Sequence, residues 1–242
     1  MSKVLPVYIG WDISEELAAN VCRFSINRHS SQPVYTQMLK EPALRAIGMY
    51  RREWHKTATG QKIDNLDGKP FSTDFSFTRF LVPALQQYNG WALFCDCDIL
   101  FTTDIAKLFS LADDRYACMV VKHDHVPKHE YKMDGQLQTK YHRKNWSSVV
   151  LWNCAHPANN LITPTEVNRN TGQWLHGFTW IPDDCIGELP DTWNWLEGHS
   201  PKPETPPAAI HFTRGGPWMK AWKGVDYREL WNAELELYRK GT

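Results

Sequence analysis

The chain opens on an apolar run of strand length, Val4 to Ile9, that stops at Gly10-Trp11-Asp12. Ser14 with Glu15 and Glu16 then reads as a helix start, a capping hydroxyl followed by an acidic first turn. Leu17, Val21, Phe24 and Ser25 continue it at helical spacing, and the residues from Pro33 to Met38 form a second strand. This β-α-β opening predicts an α/β sheet with crossover helices. Between 40 and 73 the periodicity fades into a basic, Gly- and Asp-rich tract expected to be a long loop. Regularity returns with Phe77, Phe80, Leu81, Ala84, Leu85 and Tyr88, one buried helical face. Arg79 is expected on the opposite side, and Pro83 removes the donor its carbonyl would use, so a bend is expected there. Strands follow at 91–95, 116–121, 148–152 and 208–212, with a short helix from Thr103-Asp104 that turns Ile105, Leu108 and Phe109 inward. Tyr227, Leu230, Trp231, Leu235 and Tyr238 mark a closing amphipathic helix. No repeat or clear linker divides the 242 residues, so the expectation is one α/β domain over 1–242, with 40–73 and 126–145 as irregular loops.

Charge narrows the function classes. Lys+Arg and Asp+Glu both number 27, so no cationic excess exists to condense on a nucleic acid or an anionic membrane. An acidic ligand must be held by a local site, and a metal ion supplies that charge most directly. Apolar runs are too short to span a bilayer, and the N-terminus shows no secretory pattern, so the chain is expected to be soluble and cytoplasmic. Six scattered cysteines without a CxxC pair are expected to be reduced. The 12 Trp are high for this length; some are expected near a cleft, which lends modest weight to carbohydrate contact.

The candidate chemistry centres on Asp96-Cys97-Asp98, at the end of a buried strand. In an extended chain, positions 96 and 98 point the same way, about 7 Å apart, and two such carboxylates repel unless a cation lies between them. Hard oxygen ligands suit Mg²⁺ or Mn²⁺, and the carboxyl end of a strand is where α/β proteins place ligands. A solvated Asp-rich turn is the bland alternative.

Context favours the first reading. Asp74-Phe75-Ser76-Phe77-Thr78-Arg79-Phe80, then Asp96-Cys97-Asp98, then Asp104-Ile105 with Leu108-Phe109, resembles the centre of GT-A glycosyltransferases, and most of all family 8, which includes glycogenin and bacterial galactosyltransferases. The likeness continues at His211-Phe212-Thr213-Arg214-Gly215-Gly216-Pro217-Trp218, at Asp183-Asp184, and more loosely at Asn145 to Leu151, where Ser148 replaces a Gly. It implies a single GT-A (Rossmann-like) domain with a central mixed, mostly parallel sheet flanked by helices. It also implies Mn²⁺ (or Mg²⁺) on Asp96, Asp98 and His211, and a UDP-sugar donor contacted by Arg79 and by the segments holding Ile9, Asp12, Cys97, Gly215 and Gly216. Gly216 stands where the family carries a Lys, a charge that Arg214 or Lys220 would supply. Asp183 or Asp184 would lie beside the anomeric carbon. The resemblance implies retention, in which that acid stabilises an oxocarbenium-like centre or attacks it; if the reaction inverts, the same acids become candidates for general base. The acceptor would be a carbohydrate or other hydroxyl compound, met by the loops 40–73 and 126–145. Arg45, Arg51, Arg52, Lys56, Lys62 and Lys69 in the first loop form a lid, a face for an anionic acceptor, or simply a solvated surface.

Competing readings fit less well. A nucleotidyltransferase should carry a Gly-rich basic loop after the first strand, and Gly10-Trp11-Asp12-Ile13-Ser14-Glu15-Glu16 is acidic and nearly Gly-free. A non-catalytic sugar-binding module has no need of two acids, an Arg and a His in a donor-site pattern. Lys122-His123-Asp124-His125, with His129 and Glu130 nearby, lacks zinc spacing and reads as a cleft edge or solvated loop.

Overall fold

The computed structural model describes residues 4–124 and 143–241. The chain begins with β1 (Leu5–Gly10), α1 (Glu16–His29), β2 (Val34–Leu39) and α2 (Glu41–Ala46). Three short strands follow, β3 (Trp54–Lys56), β4 (Lys62–Asp64) and β5 (Pro70–Phe71). Next come α3 (Val82–Leu85), β6 (Trp91–Cys95), β7 (Ile99–Phe101), α4 (Ala106–Phe109), β8 (Cys118–Val120) and β9 (Val149–Asn153). The last third holds α5 (Pro164–Arg169), α6 (Gly172–His176), β10 (Ile186–Glu188), β11 (Trp195–Leu196), β12 (Ala209–His211) and α7 (Arg228–Lys240).

The expected α/β architecture is present. Six strands form a central mixed sheet in the order β10-β8-β9-β6-β1-β2, with β9 antiparallel to both neighbours and the other pairs parallel. A second sheet, β11-β12-β7, and a third, β3-β4-β5, flank it. Its inner strands are the most apolar, as burial on both faces demands: every residue of β6, β8 and β9 is buried, whereas the edge strands β2 and β10 carry polar and exposed positions. Among the described residues no helix is long and apolar enough to cross a membrane. All six cysteines are free.

Several local expectations need correction. Asp12, not Ser14, caps the first helical turn, because its carboxylate accepts the Ser14 N–H at 3.0 Å. Residues 40–73 are not a structureless loop but α2 and the β3-β4-β5 sheet, whose strands of two or three residues are too short to show a period. Within that tract Arg52 and Lys62 turn inward: Arg52 pairs with Asp64 in the interior. The helix expected over 77–88 is a 3₁₀ turn, Thr78–Leu81, followed by the single turn of α3 and then by Gln87 and Tyr88 with positive φ. Arg79 is buried rather than opposite the core, its guanidinium held by Asp96 and the Ser147 carbonyl. None of the 12 Trp is exposed, so their number reports packing more than a cleft. Trp152, Trp174 and Trp180 stack beside Phe80 and Phe178. His125, His129, Glu130 and most of the 126–145 loop lie outside the described residues.

Candidate functional site

Asp96 and Asp98 occupy the turn between β6 and β7 rather than an extended strand. β12 runs antiparallel to β7 with His211 opposite Ile99, and the Phe212 N–H donates to the Asp98 carbonyl at 3.0 Å. This pairing brings one ligand atom from each of Asp96, Asp98 and His211 within 4.8 Å of one another, although 115 residues of chain separate His211 from Asp96. No other such group of His, Cys, Asp or Glu occurs among the described residues.

The hydrogen bonds around His211 decide which nitrogen faces the acids. Asn194 donates through Nδ2 to Ser148 Oγ at 2.9 Å and to the Asn145 carbonyl at 3.2 Å. Its amide is therefore oriented, and Oδ1 faces His211 Nδ1 at 3.0 Å. An amide oxygen only accepts, so Nδ1 carries a proton and Nε2 is the nitrogen that faces Asp98 Oδ1, 3.3 Å away. A ring protonated at Nδ1 alone can offer the Nε2 lone pair to a cation held by the two acids. Two carboxylates and an imidazole oriented by Asn194 form a donor set for a divalent ion such as Mn²⁺ or Mg²⁺, so the residues present fit the metal.

Arg79 sits beneath this group. Its Nη1 lies 2.9 Å from Asp96 Oδ1 and donates to the Ser147 carbonyl at 2.8 Å, and its Nε donates to the Phe75 carbonyl at 3.2 Å. The guanidinium is packed between the rings of Phe75 and Phe94. The turn that carries it lies against β1 because Gly10 has no side chain: a Cβ there would come within 2.4 Å of the Phe75 ring. Arg79 thus cancels one of the two carboxylate charges, which leaves the group formally at −1.

Other expected donor-site residues are placed differently. Asp12 spends both carboxylate oxygens internally, Oδ1 on the N–H and hydroxyl of Ser14 and Oδ2 on Lys62 Nζ (2.8 Å) and the Asp74 N–H (3.0 Å). Burial alone would raise its pKa, but the bonds and charge of Lys62 and the bonds of Ser14 hold it below the usual carboxylate range. Asp12 therefore organises the strand end, and Lys62, also bonded to Asp74 at 2.6 Å, is the cation the sequence hid in an irregular tract. Ile9 is sealed inside the sheet between Met38 and Cys95. Cys97 turns away from the acids and donates to Glu15 Oε2 at 3.2 Å; burial and the Glu15 and Asp98 charges push its thiol pKa well up, so it is no thiolate ligand. Gly215 has φ 140°, a backbone that suits glycine alone. Gly216 is needed for another reason than phosphate approach, since a Cβ there would strike the Trp218 ring at 1.9 Å. Arg214 pairs with Glu197 at 2.9 Å, and Lys220 is exposed on a 3₁₀ turn. Asp183 and Asp184 are both exposed, with Asp183 2.5 Å from Arg143.

The segment 143–148 ties these parts together. It carries Arg143 on Asp183, the Asn145 and Ser148 acceptors of Asn194, the Ser147 carbonyl on Arg79, and the Ser148 carbonyl that accepts the Asp96 N–H at 2.9 Å. Asn145 can turn this corner only with φ 65°, tolerable for Asn. Ser147 Oγ meets His176 Nδ1 at 2.8 Å, and burial, reinforced by Arg79, drives the His176 pKa well down, so its ring is neutral at pH 7. Asn194, Ser147 and His176 escape sequence reading because their roles are hydrogen bonds across the fold.

The chain is 47% identical to Protein CDI of Arabidopsis thaliana over 242 residues, covering 98% of this chain and 88% of that protein. The chain belongs to the Protein CDI family. No protein-family model matches the sequence. Among solved structures, GlyE of Streptococcus pneumoniae TIGR4, a glycosyltransferase in its apo form, superposes with TM-score 0.61 at 17% identity over 99% of this chain and 64% of GlyE. The bifunctional glycosyltransferase WbbM gives 0.63 at 12% identity, over 97% of this chain and 50% of its own. The galactosyltransferase LgtC, in complex with donor and acceptor sugar analogues, gives 0.60 at 12% identity, over 96% and 95% of the two chains. The chain thus spans about half to two thirds of GlyE and WbbM and nearly all of LgtC. This member of the family has the GT-A glycosyltransferase fold.

Proposed function

We propose that the protein is a metal-dependent glycosyltransferase that moves a sugar from a nucleoside-diphosphate sugar, with UDP as the nucleotide, to an acceptor hydroxyl. The observation that carries this reading is the convergence of Asp96, Asp98 and His211, at the carboxyl end of β6, on a single point backed by Arg79. Mn²⁺ or Mg²⁺ held there supplies positive charge to the departing diphosphate. The chain's own residues do the rest. Asn194 keeps His211 in the tautomer that can bind, and Arg79 holds Asp96 and adds a second positive charge that gains most as the leaving oxygen becomes anionic. Arg214 and Lys220, on either side of the Gly215-Gly216 turn that follows His211, are the further cations proposed for the diphosphate. The bond from the anomeric carbon to the diphosphate oxygen breaks and a bond to the acceptor oxygen forms, while the acceptor proton leaves with the diphosphate or a base. Asp183 or Asp184 is proposed beside the anomeric carbon. Arg143 holds Asp183 in one orientation, which leaves Asp184 the freer of the two.

Thermal denaturation with UDP tests this. Stabilisation grows as RT ln(1 + [L]/Kd) for a ligand of the folded state. UDP with Mn²⁺ should raise the melting temperature and UDP with EDTA should not, and Asp98→Ala should abolish the difference along with any transfer from UDP-sugars. Unchanged turnover in Asp98→Ala would falsify the reading.

A further inference from the structure

A shallow cleft of about 370 Å³ opens on the side of α2 and the β3-β4-β5 sheet, lined by Glu41, Arg45, Glu53, Trp54 and Asn65. Its size is at the lower end of small-molecule sites, which run to roughly 300–1,000 Å³. The indole of Trp54 is fixed from three sides. Its Nε1 donates to Glu41 Oε1 at 2.9 Å, its ring meets Phe71 edge-on at 5.8 Å, and Lys62 Nζ lies 5.8 Å from its centroid. Glu41 also takes Arg45 on Oε1, yet its Oε2 is buried without any hydrogen-bond partner. An unpaired buried acceptor of this kind is costly. Glu53 and Asn65 add exposed acceptors and an amide at the rim.

We infer that this cleft binds a neutral carbohydrate, with a pyranose ring stacked on Trp54 and its vicinal hydroxyls shared among Glu41, Arg45, Glu53 and Asn65. A rigid aromatic face beside groups that each make paired hydrogen bonds is the chemistry that recognises a polyol. Glu41 and Arg45 cancel, and Glu53 leaves the cleft acidic, which disfavours phosphorylated or carboxylated ligands. A divalent cation has no set of three ligands here.

The cleft also lies on the working edge of the sheet. β1, β2 and β6 are parallel, so Glu41, two residues past the end of β2, emerges at the same end as Asp96. The two strands are separated only by β1, roughly 10 Å at ordinary strand spacing. Lys62 ties the cleft to the end of β1, with its Nζ 5.8 Å from the Trp54 centroid and paired with Asp12 and Asp74. A sugar held there would serve as the acceptor, a role that rests on the transferase reading; the binding itself does not.

Saturation-transfer NMR of the full chain with lactose, maltose, cellobiose and xylobiose, in EDTA and without nucleotide, tests the binding separately from transfer. At least one disaccharide should bind, and Trp54→Ala should weaken it roughly tenfold or more, the scale of losing an aromatic anchor. Because Trp54→Ala also removes packing, the exposed pair Glu53→Ala with Asn65→Ala provides a second variant, expected to weaken the same disaccharide with an unchanged melting temperature. The inference is overturned if none of the four binds, if both variants bind as the wild type does, or if uridine displaces the sugar, which would make the cleft a nucleoside site. Loss of metal-dependent UDP binding with disaccharide binding intact would overturn the transferase reading alone.

Discussion

A carboxylate pair two residues apart is common in turns, and only its neighbours make it a candidate metal group. Here the decisive neighbour is Asn194. Its amide is locked by Ser148 and Asn145 and in turn locks the proton on His211 Nδ1. Replacing Asn194 by Ala removes that acceptor while leaving all three proposed ligands in place. Mn²⁺ affinity, read by electron paramagnetic resonance, is expected to fall about 10- to 100-fold, the usual effect of losing an outer-shell partner. Unaltered affinity would mean that His211 is held by the β12–β7 pairing alone.

At the scale of elements, the tract that lacks periodicity is held by buried charge rather than by an apolar stripe. Arg52 pairs with Asp64 on β4, donates to the Val167 and Asn170 carbonyls at the end of α5, and lies over the Phe77 ring at 4.1 Å. It thus fastens the small β3-β4-β5 sheet to α5 and to the turn that carries Arg79. Arg52→Met keeps the volume but strands the Asp64 charge in the interior, and removing one partner of such a pair costs about 3–5 kcal/mol. Urea denaturation should show a loss of that size, and a loss below about 1 kcal/mol would mean that water reaches Asp64. Lys62 binds the same sheet to the main one through Asp12 and Asp74, its pKa lowered by burial but raised overall by these two carboxylates.

Across the whole molecule, stability should depend on pH through groups that the fold keeps neutral. His176 has a native pKa depressed well below 6.5 by burial and by Arg79, and His29 is depressed by burial and by Arg28. Below the ordinary imidazole pKa of about 6.5 the unfolded chain takes up protons that the native chain refuses, so stability falls as the pH drops. Asp12, with a lowered pKa, is lost only at more acid pH, and the raised Lys62 pKa matters only above the ordinary lysine range. Melting temperatures should therefore decline between pH 7 and 5, and His176→Gln should flatten that decline. A slope identical to wild type would show that His176 is already charged in the native state.

The sequence by itself determined the α/β class, the strands at β1, β6, β8, β9 and β12, the closing helix α7 and the identity of the Asp96, Asp98 and His211 triplet. The elements are written in apolar periodicity and the triplet in the resemblance of its motifs to GT-A glycosyltransferases, and both are readable without knowledge of the fold. Tertiary structure alone decided the rest. Arg79 points inward because a 3₁₀ turn, not an α-helix, carries it past Asp96. Asp12 serves the strand end because Lys62, 50 residues later, closes over it. Gly216 makes room for Trp218, and the many Trp fill the core. Hydrogen bonds and ion pairs between distant residues leave no period in a sequence, since their partners are chosen by how sheets and turns meet in space.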